Sequence, residues 1–106
     1  MRFLVVSKST SPFPPDMALG MMDAMLGWVE RYESSGRMEQ SWAFAGTQGG
    51  GGILNVESTE ELDEIMAQFP FAPFSQIDVY PLADLRHSIE KNREFVASMM
   101  AAMAAH

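Results

Sequence analysis

The chain has 106 residues, 7 basic and 14 acidic side chains, and no cysteine, which suits one compact domain and excludes disulfides and thiolate metal sites. Its formal net charge of −7 argues against nucleic acid and membrane partners, because phosphates would repel it. The chain contains 2 histidines, too few for a typical zinc site, so we expect no metal and no cofactor. No apolar run approaches a signal-peptide core or a membrane span, and we expect a cytoplasmic protein.

The first third of the chain predicts a strand, a loop and a helix. Phe3 to Val6 is a short apolar run rich in β-formers, and the Ser/Thr/Pro cluster at 7–15 predicts a loop. Pro14 to Asp16 predicts the start of a helix, since proline and acidic side chains are favoured in a first turn. Gly36 predicts its end. One buried stripe recurs at three- and four-residue steps: Ala18, Met22, Met25, Val29 and Tyr32.

A hairpin is predicted next. Met38 to Thr47 alternates as a strand does, with Trp42 and Phe44 on one face and the small Ser41, Ala43 and Ala45 on the other. The four glycines at 49–52 predict its turn, and Ile53 to Val56 predicts the returning strand. The glycine run lacks the Gly-Lys-Ser/Thr ending of a phosphate-binding loop.

The second half predicts another helix and a fourth strand. Ser58 followed by Glu61 has the spacing of a helix-starting capping box, and Pro70 ends this helix. Ser75 to Leu82 predicts a strand through its β-branched and aromatic residues. We therefore divide the chain into a domain at 1–83 and a C-terminal helical extension at 84–106 that is rich in alanine and methionine.

The element order β-α-β-β-α-β predicts an α+β, ferredoxin-like sandwich, an antiparallel sheet with both helices on one face. The other face of that sheet would be bare and partly apolar. A second subunit is the simplest cover for it, so we expect a homodimer or a higher homo-oligomer.

Short blocks in matching order and spacing resemble the muconolactone isomerase family over about residues 1 to 82. They are Phe3-Leu4-Val5, Pro14 to Met17, Ser35-Gly36-Arg37, Trp42, Gly46, Ile53 to Ser58, Glu61-Leu62, Pro70 to Phe74 with its second proline, and Ile77-Asp78-Val79. The resemblance implies a dimeric α+β barrel that assembles further. It also implies cofactor-free movement of a double bond within a small unsaturated lactone.

The resemblance also shows where this chain departs from the family. It aligns Met25 and Leu26 with a Glu and a Lys of the family's first helix, and Ala43 with an Arg that follows the strand Trp. Methionine, leucine and alanine can neither transfer a proton nor stabilise an enolate-like charge. The resemblance therefore implies a shared pocket position with a more apolar substrate.

Candidate substrate-binding residues lie on the first helix, on the second strand and before the last strand: Met21, Met25, Trp28, Trp42, Ala43 and Phe74. Methionines above small strand residues can leave a cavity for a hydrophobic ligand, or they can simply fill the core. Trp42 could stack on a planar substrate or anchor an interface.

Candidate catalytic residues are Tyr32, Tyr80 and His87. A buried tyrosine can donate a hydrogen bond to a substrate carbonyl, or it can belong to the core. His87 is the only internal histidine, and imidazole is the side chain that titrates near neutral pH, although an exposed histidine needs no function. Glu30, Glu33 and Asp78 are further candidates for proton transfer.

Three functions stay open on these residues. The first is a cofactor-independent isomerase or cyclase-like enzyme acting on a small hydrophobic unsaturated lactone or a polyketide-like compound. The second is a cofactor-free monooxygenase of the antibiotic-biosynthesis type, which has a similar barrel. The third is a non-catalytic binding protein for an apolar ligand, in which the missing charges are expected.

Overall fold

The computed structural model describes residues 1–105 and forms one four-stranded antiparallel sheet with three α-helices. The strands are β1 (Arg2–Ser9), β2 (Met38–Ala43), β3 (Gly49–Asn55) and β4 (Ser75–Leu82), in the spatial order β2-β3-β1-β4. The helices are α1 (Ala18–Ser34), α2 (Thr59–Ala67) and α3 (Leu85–Ala104). This arrangement confirms the α+β, ferredoxin-like prediction.

The hydrophobic core lies at one end of the sheet, under α1 and α2. Leu54 of β3 is paired with both Phe3 of β1 and Met38 of β2, so three large apolar side chains form one row across the sheet. The α2 side chains Leu62 and Ile65 close this end of the core. Every one of these five residues is buried.

α1 begins later than the sequence predicts. Pro14 and Pro15 form a turn, in which the Met17 amide donates to the Pro14 carbonyl at 2.9 Å, and the helix starts only at Ala18. A residue followed by proline avoids the helical region, so Pro14 cannot be helical. The predicted end is confirmed, since Gly36 follows the helix with a φ of 78°.

The glycine run is part of strand β3, so the prediction that it forms the turn is wrong. Residues 49–52 pair with β1 on one side and, at 50–52, with β2 on the other. Hydrogen bonding on both sides holds these residues extended, which outweighs the low strand propensity of glycine. The connection between β2 and β3 instead passes through residues 44–48.

The second half agrees closely with the prediction. The Ser58 hydroxyl accepts a hydrogen bond from the Glu61 amide at 3.1 Å, which caps α2 as the Ser-x-x-Glu spacing indicates. β4 covers the predicted residues, Ser75–Leu82. Local signals were sufficient for both elements.

α3 begins three residues after β4 and has Asp84 as its N-cap, whose carboxylate accepts from the His87 amide at 2.9 Å. None of its side chains is buried. None of the helices within residues 1–105 is long and apolar enough to cross a membrane. The predicted extension at 84–106 includes His106, which lies outside the described residues.

Candidate functional site

Side chains on the helix-covered face become smaller along three adjacent strands. Next to the row of large core residues lies a row formed by Ser41, Gly52 and Val5. The following row is Ala43, Gly50 and Ser7. On all three strands the side chains become smaller toward the same end of the sheet. The space beneath α1 is therefore filled at one end and left open at the other.

This space is a cavity of about 580 Å³ between α1 and the sheet. Its roof comes from α1, with Met22, Met25 and Val29. Its floor is the bare backbone of the glycine strand, where a Cβ atom on Gly50 would collide with the carbonyl oxygen of Trp42. A volume of this size is within the range of small-molecule sites.

One wall of the cavity is aromatic. Phe13, Trp28, Phe69 and Phe71 all line it, and their rings form a continuous series. The ring centroids of Phe13 and Phe71 are 4.8 Å apart, and those of Trp28 and Phe69 are 5.1 Å apart with tilted planes. Such contacts fix the wall in place, since each ring is held by its neighbour.

Among the described residues, no charged side chain lines this cavity. The polar side chains that do are hydroxyls and one amide: Ser7, Ser9, Ser41, Ser75 and Gln48. The indole NH of Trp28 is already used, since it donates to the Ile65 carbonyl at 3.1 Å. An ionised ligand would lose its hydration here without gaining a counter-charge, which costs several kcal/mol.

Ser41 connects the cavity to a carboxylate. Ser41 lines the cavity, and its hydroxyl donates to Glu33 Oε1 at 2.9 Å. Glu33 lies near the end of α1 and Ser41 lies on the edge strand β2, and both residues are exposed. This hydrogen bond joins a residue of the cavity lining to a solvent-exposed acid.

Four of the six predicted substrate-binding residues border the cavity: Met25, Trp28, Trp42 and Ala43. Met21 is not among the lining residues, since its neighbour Met22 faces the cavity instead. Phe74 does not line the cavity either, but it packs against the lining residue Phe13, with the two ring centroids 5.2 Å apart. Their roles in binding stay predictions.

Trp42 borders the cavity from an unusual position. Strand register pairs it with Gly51, and its indole carbons would lie 3.1 Å from a Cβ on that glycine. Neighbouring Ser41 and Ala43 face the helices, so the Trp42 ring lies on the face of the sheet without helices. Only the glycine backbone, which is the cavity floor, separates this ring from the cavity.

The structure places the three predicted catalytic residues away from the cavity lining. The Tyr32 side chain is buried, and its hydroxyl donates to Gln68 Oε1 at 3.0 Å. Tyr80 pairs with Leu4 and projects from the helix-free face, where it is 52% exposed. His87 is exposed in the first turn of α3. Their catalytic roles stay predictions.

Sequence reasoning missed several residues of the site, including Phe13, Phe71 and the glycine floor. Phe13 lies between Pro12 and Pro14, and a large aromatic residue held between prolines was the available signal. The glycine floor could be found only by noticing that the run leads directly into Ile53 without a break in strand pattern.

The family of this chain follows from a direct match. A family model described as "Muconolactone delta-isomerase" matches residues 1–88. The chain belongs to the muconolactone delta-isomerase family. This confirms the resemblance seen in the short sequence blocks and places the cavity inside the part of the chain that defines the family.

One curated member of this family is a muconolactone Δ-isomerase of Rhodococcus opacus. It is 32% identical to this chain over 55 residues, which is 52% of this chain. The match spans 59% of that relative's own length.

Two solved structures share the fold. A crystal structure of muconolactone isomerase superposes with a TM-score of 0.73 at 24% identity, covering 79% of this chain and 90% of that one. A 5-chloro-2-hydroxyhydroquinone dehydrochlorinase from Burkholderia phenoliruptrix AC1100, in complex with 2,5-dihydroxybenzoquinone, gives 0.65 at 19% identity. That match covers 82% of this chain and 98% of the dehydrochlorinase.

Proposed function

We propose that this protein is a cofactor-independent isomerase or cyclase-like enzyme that acts on a small hydrophobic unsaturated lactone or a polyketide-like compound. The observation that carries the proposal is an uncharged cavity of about 580 Å³ in the scaffold of an isomerase family. The dehydrochlorinase with a similar fold was solved with a small planar quinone, which supports a ring-shaped substrate.

The apolar lining would hold the body of the substrate. Met25 and Trp28 contribute from α1 and Ala43 from β2, so the ligand would lie between the helix and the glycine floor. Fixing a reactive ring in one orientation can itself contribute several kcal/mol to lowering the barrier. A neutral substrate is expected because no lining residue would pair with an anion.

A double-bond shift requires a proton acceptor, and the Ser41–Glu33 pair is the candidate that reaches the cavity. The Ser41 hydroxyl would take the proton from the substrate carbon as its own proton moves to the Glu33 carboxylate. The reverse transfer would then protonate the new carbon position, so the pair ends unchanged. The neighbouring serine hydroxyls could donate hydrogen bonds to the enolate-like oxygen.

The test uses α-angelica lactone, a neutral lactone whose double bond moves into conjugation to give β-angelica lactone. Proton NMR in D2O would follow the new vinyl signals and deuterium incorporation. We expect the wild-type protein to accelerate the shift and Glu33→Gln to slow it at least ~100-fold, as for loss of a general base. Glu30→Gln is the matched control, since Glu30 is an exposed carboxylate one turn earlier on α1 and Ser41 donates to Glu33 instead.

A non-catalytic binding protein for an apolar ligand is the second candidate, and the uncharged lining is the observation that favours it. Binding of α-angelica lactone or larger neutral rings without any double-bond shift would support this candidate and overturn the enzymatic one. An equal loss of isomerase activity in Glu33→Gln and Glu30→Gln would overturn the role of the Ser41–Glu33 pair, but it would leave the enzymatic proposal standing.

We also propose that the protein is cytoplasmic and that a second copy covers the helix-free face of the sheet. Leu4, Val6 and Ile53 are only half-buried there, and Trp42 is 39% exposed beside them. An apolar sheet face in contact with water is a typical site of self-association. The Trp42 ring would then lie inside the dimer, behind the cavity floor.

A further inference from the structure

α3 presents an apolar face that the rest of residues 1–105 leaves uncovered. Seven large apolar side chains along it are between 49% and 74% exposed: Leu85, Ile89, Phe95, Val96, Met99, Met100 and Met103. The helix projects from the body of a molecule 71 Å long and only 28 by 23 Å across. The family match ends at residue 88, so most of α3 is a feature of this chain beyond the family model.

The spacing of these residues is that of a coiled-coil seam. Leu85, Ile89, Val96, Met99 and Met103, together with Asn92, recur at alternating steps of four and three residues. In heptad terms Ile89, Val96 and Met103 occupy a positions, whereas Leu85, Asn92 and Met99 occupy d positions. Two of the three a residues are β-branched and two of the three d residues are leucine or methionine, a pattern close to the β-branched-a, leucine-d arrangement that favours parallel two-stranded coils.

Asn92 is the single polar residue in this seam. Its amide has both a donor and an acceptor, so it can pair with Asn92 of a second copy when two helices lie parallel and in register. Against an apolar sheet face the same amide would be buried without a partner, which costs about 1–3 kcal/mol. Asn92 therefore favours a second α3, rather than a flat apolar surface, as the partner that covers this face of the helix.

The residues beside the seam are compatible with this pairing. In a parallel pair, Arg93 of one helix lies beside Ser88 of the other, and Met100 lies beside Phe95. No like charges oppose each other across the seam. Lys91 and Glu94 form an ion pair at 3.3 Å on the outer surface of the helix.

We propose that α3 pairs with α3 of a second copy of this chain as a parallel, in-register, two-stranded coiled coil. A helix in a protein gains most of its stability from packing its apolar face, and α3 has 20 residues, or about three heptads, with which to do so. Association of the two bodies would raise the effective concentration of the helices for each other, and the short seam can then form. This proposal does not depend on the function of the cavity.

Site-specific cross-linking of the full chain tests the proposal, and the absence of cysteine gives a clean background. In Val96→Cys the two thiols would face each other at an a position, with Cα atoms about 6 Å apart, as a disulfide requires. In the control Ala101→Cys the thiols would lie on the outer surfaces. We expect Val96→Cys to form a covalent dimer in mild oxidant at least ~10-fold faster than the control.

A second pair of variants tests whether the apolar seam causes the linkage. Adding Met99→Glu to the Val96→Cys chain should abolish the rapid cross-link, because a carboxylate would be buried in the seam. Adding Ala101→Glu instead introduces the same charge on the outer surface and should leave the cross-link intact. Circular dichroism of both chains would show that α3 is still helical.

Three results would overturn the proposal. Equal or absent cross-linking in Val96→Cys and Ala101→Cys would mean that α3 does not pair through this seam. Preferential linkage of Asn92→Cys chains to Val96→Cys chains would mean that the helices are antiparallel. Rapid cross-linking that survives Met99→Glu would mean that contacts elsewhere bring the helices together.

Discussion

At the scale of single residues, Ser58 is the side chain whose role is most directly visible in both sequence and structure. Its hydroxyl satisfies the Glu61 amide at the start of α2, the helix that contributes Leu62 and Ile65 to the core. We expect Ser58→Ala to lower the free energy of unfolding by about 1 kcal/mol, as is usual for a lost N-cap. Urea denaturation at fixed protein concentration would measure this.

Thr59→Ala is the control for this substitution. Thr59 is exposed, and its hydroxyl contacts only the neighbouring Glu60 carboxylate, at 3.3 Å. Its loss should change stability by no more than about 0.5 kcal/mol. If both variants were equally destabilised, the cap would not be what holds the start of α2.

Single residues also show which features of the site could be predicted from the sequence. Met25 and Ala43 were predicted to face the same space, and they border the same cavity, because helical and strand periodicities determine which face a residue occupies. Tyr32 was predicted on the buried stripe, and it is buried. Periodicity could not show that Gln68 would engage its hydroxyl, since that contact joins residues 36 positions apart.

At the scale of elements, α2 and β4 were predictable because their signals are local: a capping box, a proline stop and a β-rich run. β3 was not, because its glycines are extended through pairing with β2 and with β1, a strand more than 40 residues away along the chain. Glycine has a low strand propensity, and the one local sign of a strand is that the run continues into Ile53 without a break. The same glycines form the cavity floor, so the missed strand and the missed floor have one cause.

The requirement for glycine in β3 can be tested with a matched pair of substitutions. A Cβ at Gly50 would collide with the Trp42 carbonyl oxygen, and we expect Gly50→Ala to destabilise the protein by about 1–3 kcal/mol. Gly27, within α1, has no neighbouring atom within 4 Å of its Cβ position. Gly27→Ala should therefore stabilise by about 0.5–1 kcal/mol through helix propensity.

Thermal or urea unfolding of both variants at the same concentration would give the two free-energy changes. Opposite signs are the expected result. A stable Gly50→Ala protein would show that the strands can separate without cost, and the account of the cavity floor would then be wrong.

At the scale of the whole molecule, a strongly acidic surface surrounds an uncharged interior. The net charge of −7 and the uncharged cavity lining act in the same direction, since both disfavour an anionic ligand. The proposed function therefore requires that the cavity of this chain bind neutral molecules in preference to anions.

The most direct test compares two ligands of the same ring system, methyl 2-naphthoate and the 2-naphthoate anion, at neutral pH. The chain has 2 tryptophans, and both border the cavity, so quenching of their fluorescence would report its occupancy. We expect the ester to bind at least ~10-fold more tightly, which corresponds to about 1.4 kcal/mol. Ala43→Arg, which adds a cation to the lining, should reduce the ratio of the ester's affinity to the anion's affinity. Binding of the anion as tightly as the ester by the unmodified protein would contradict the account.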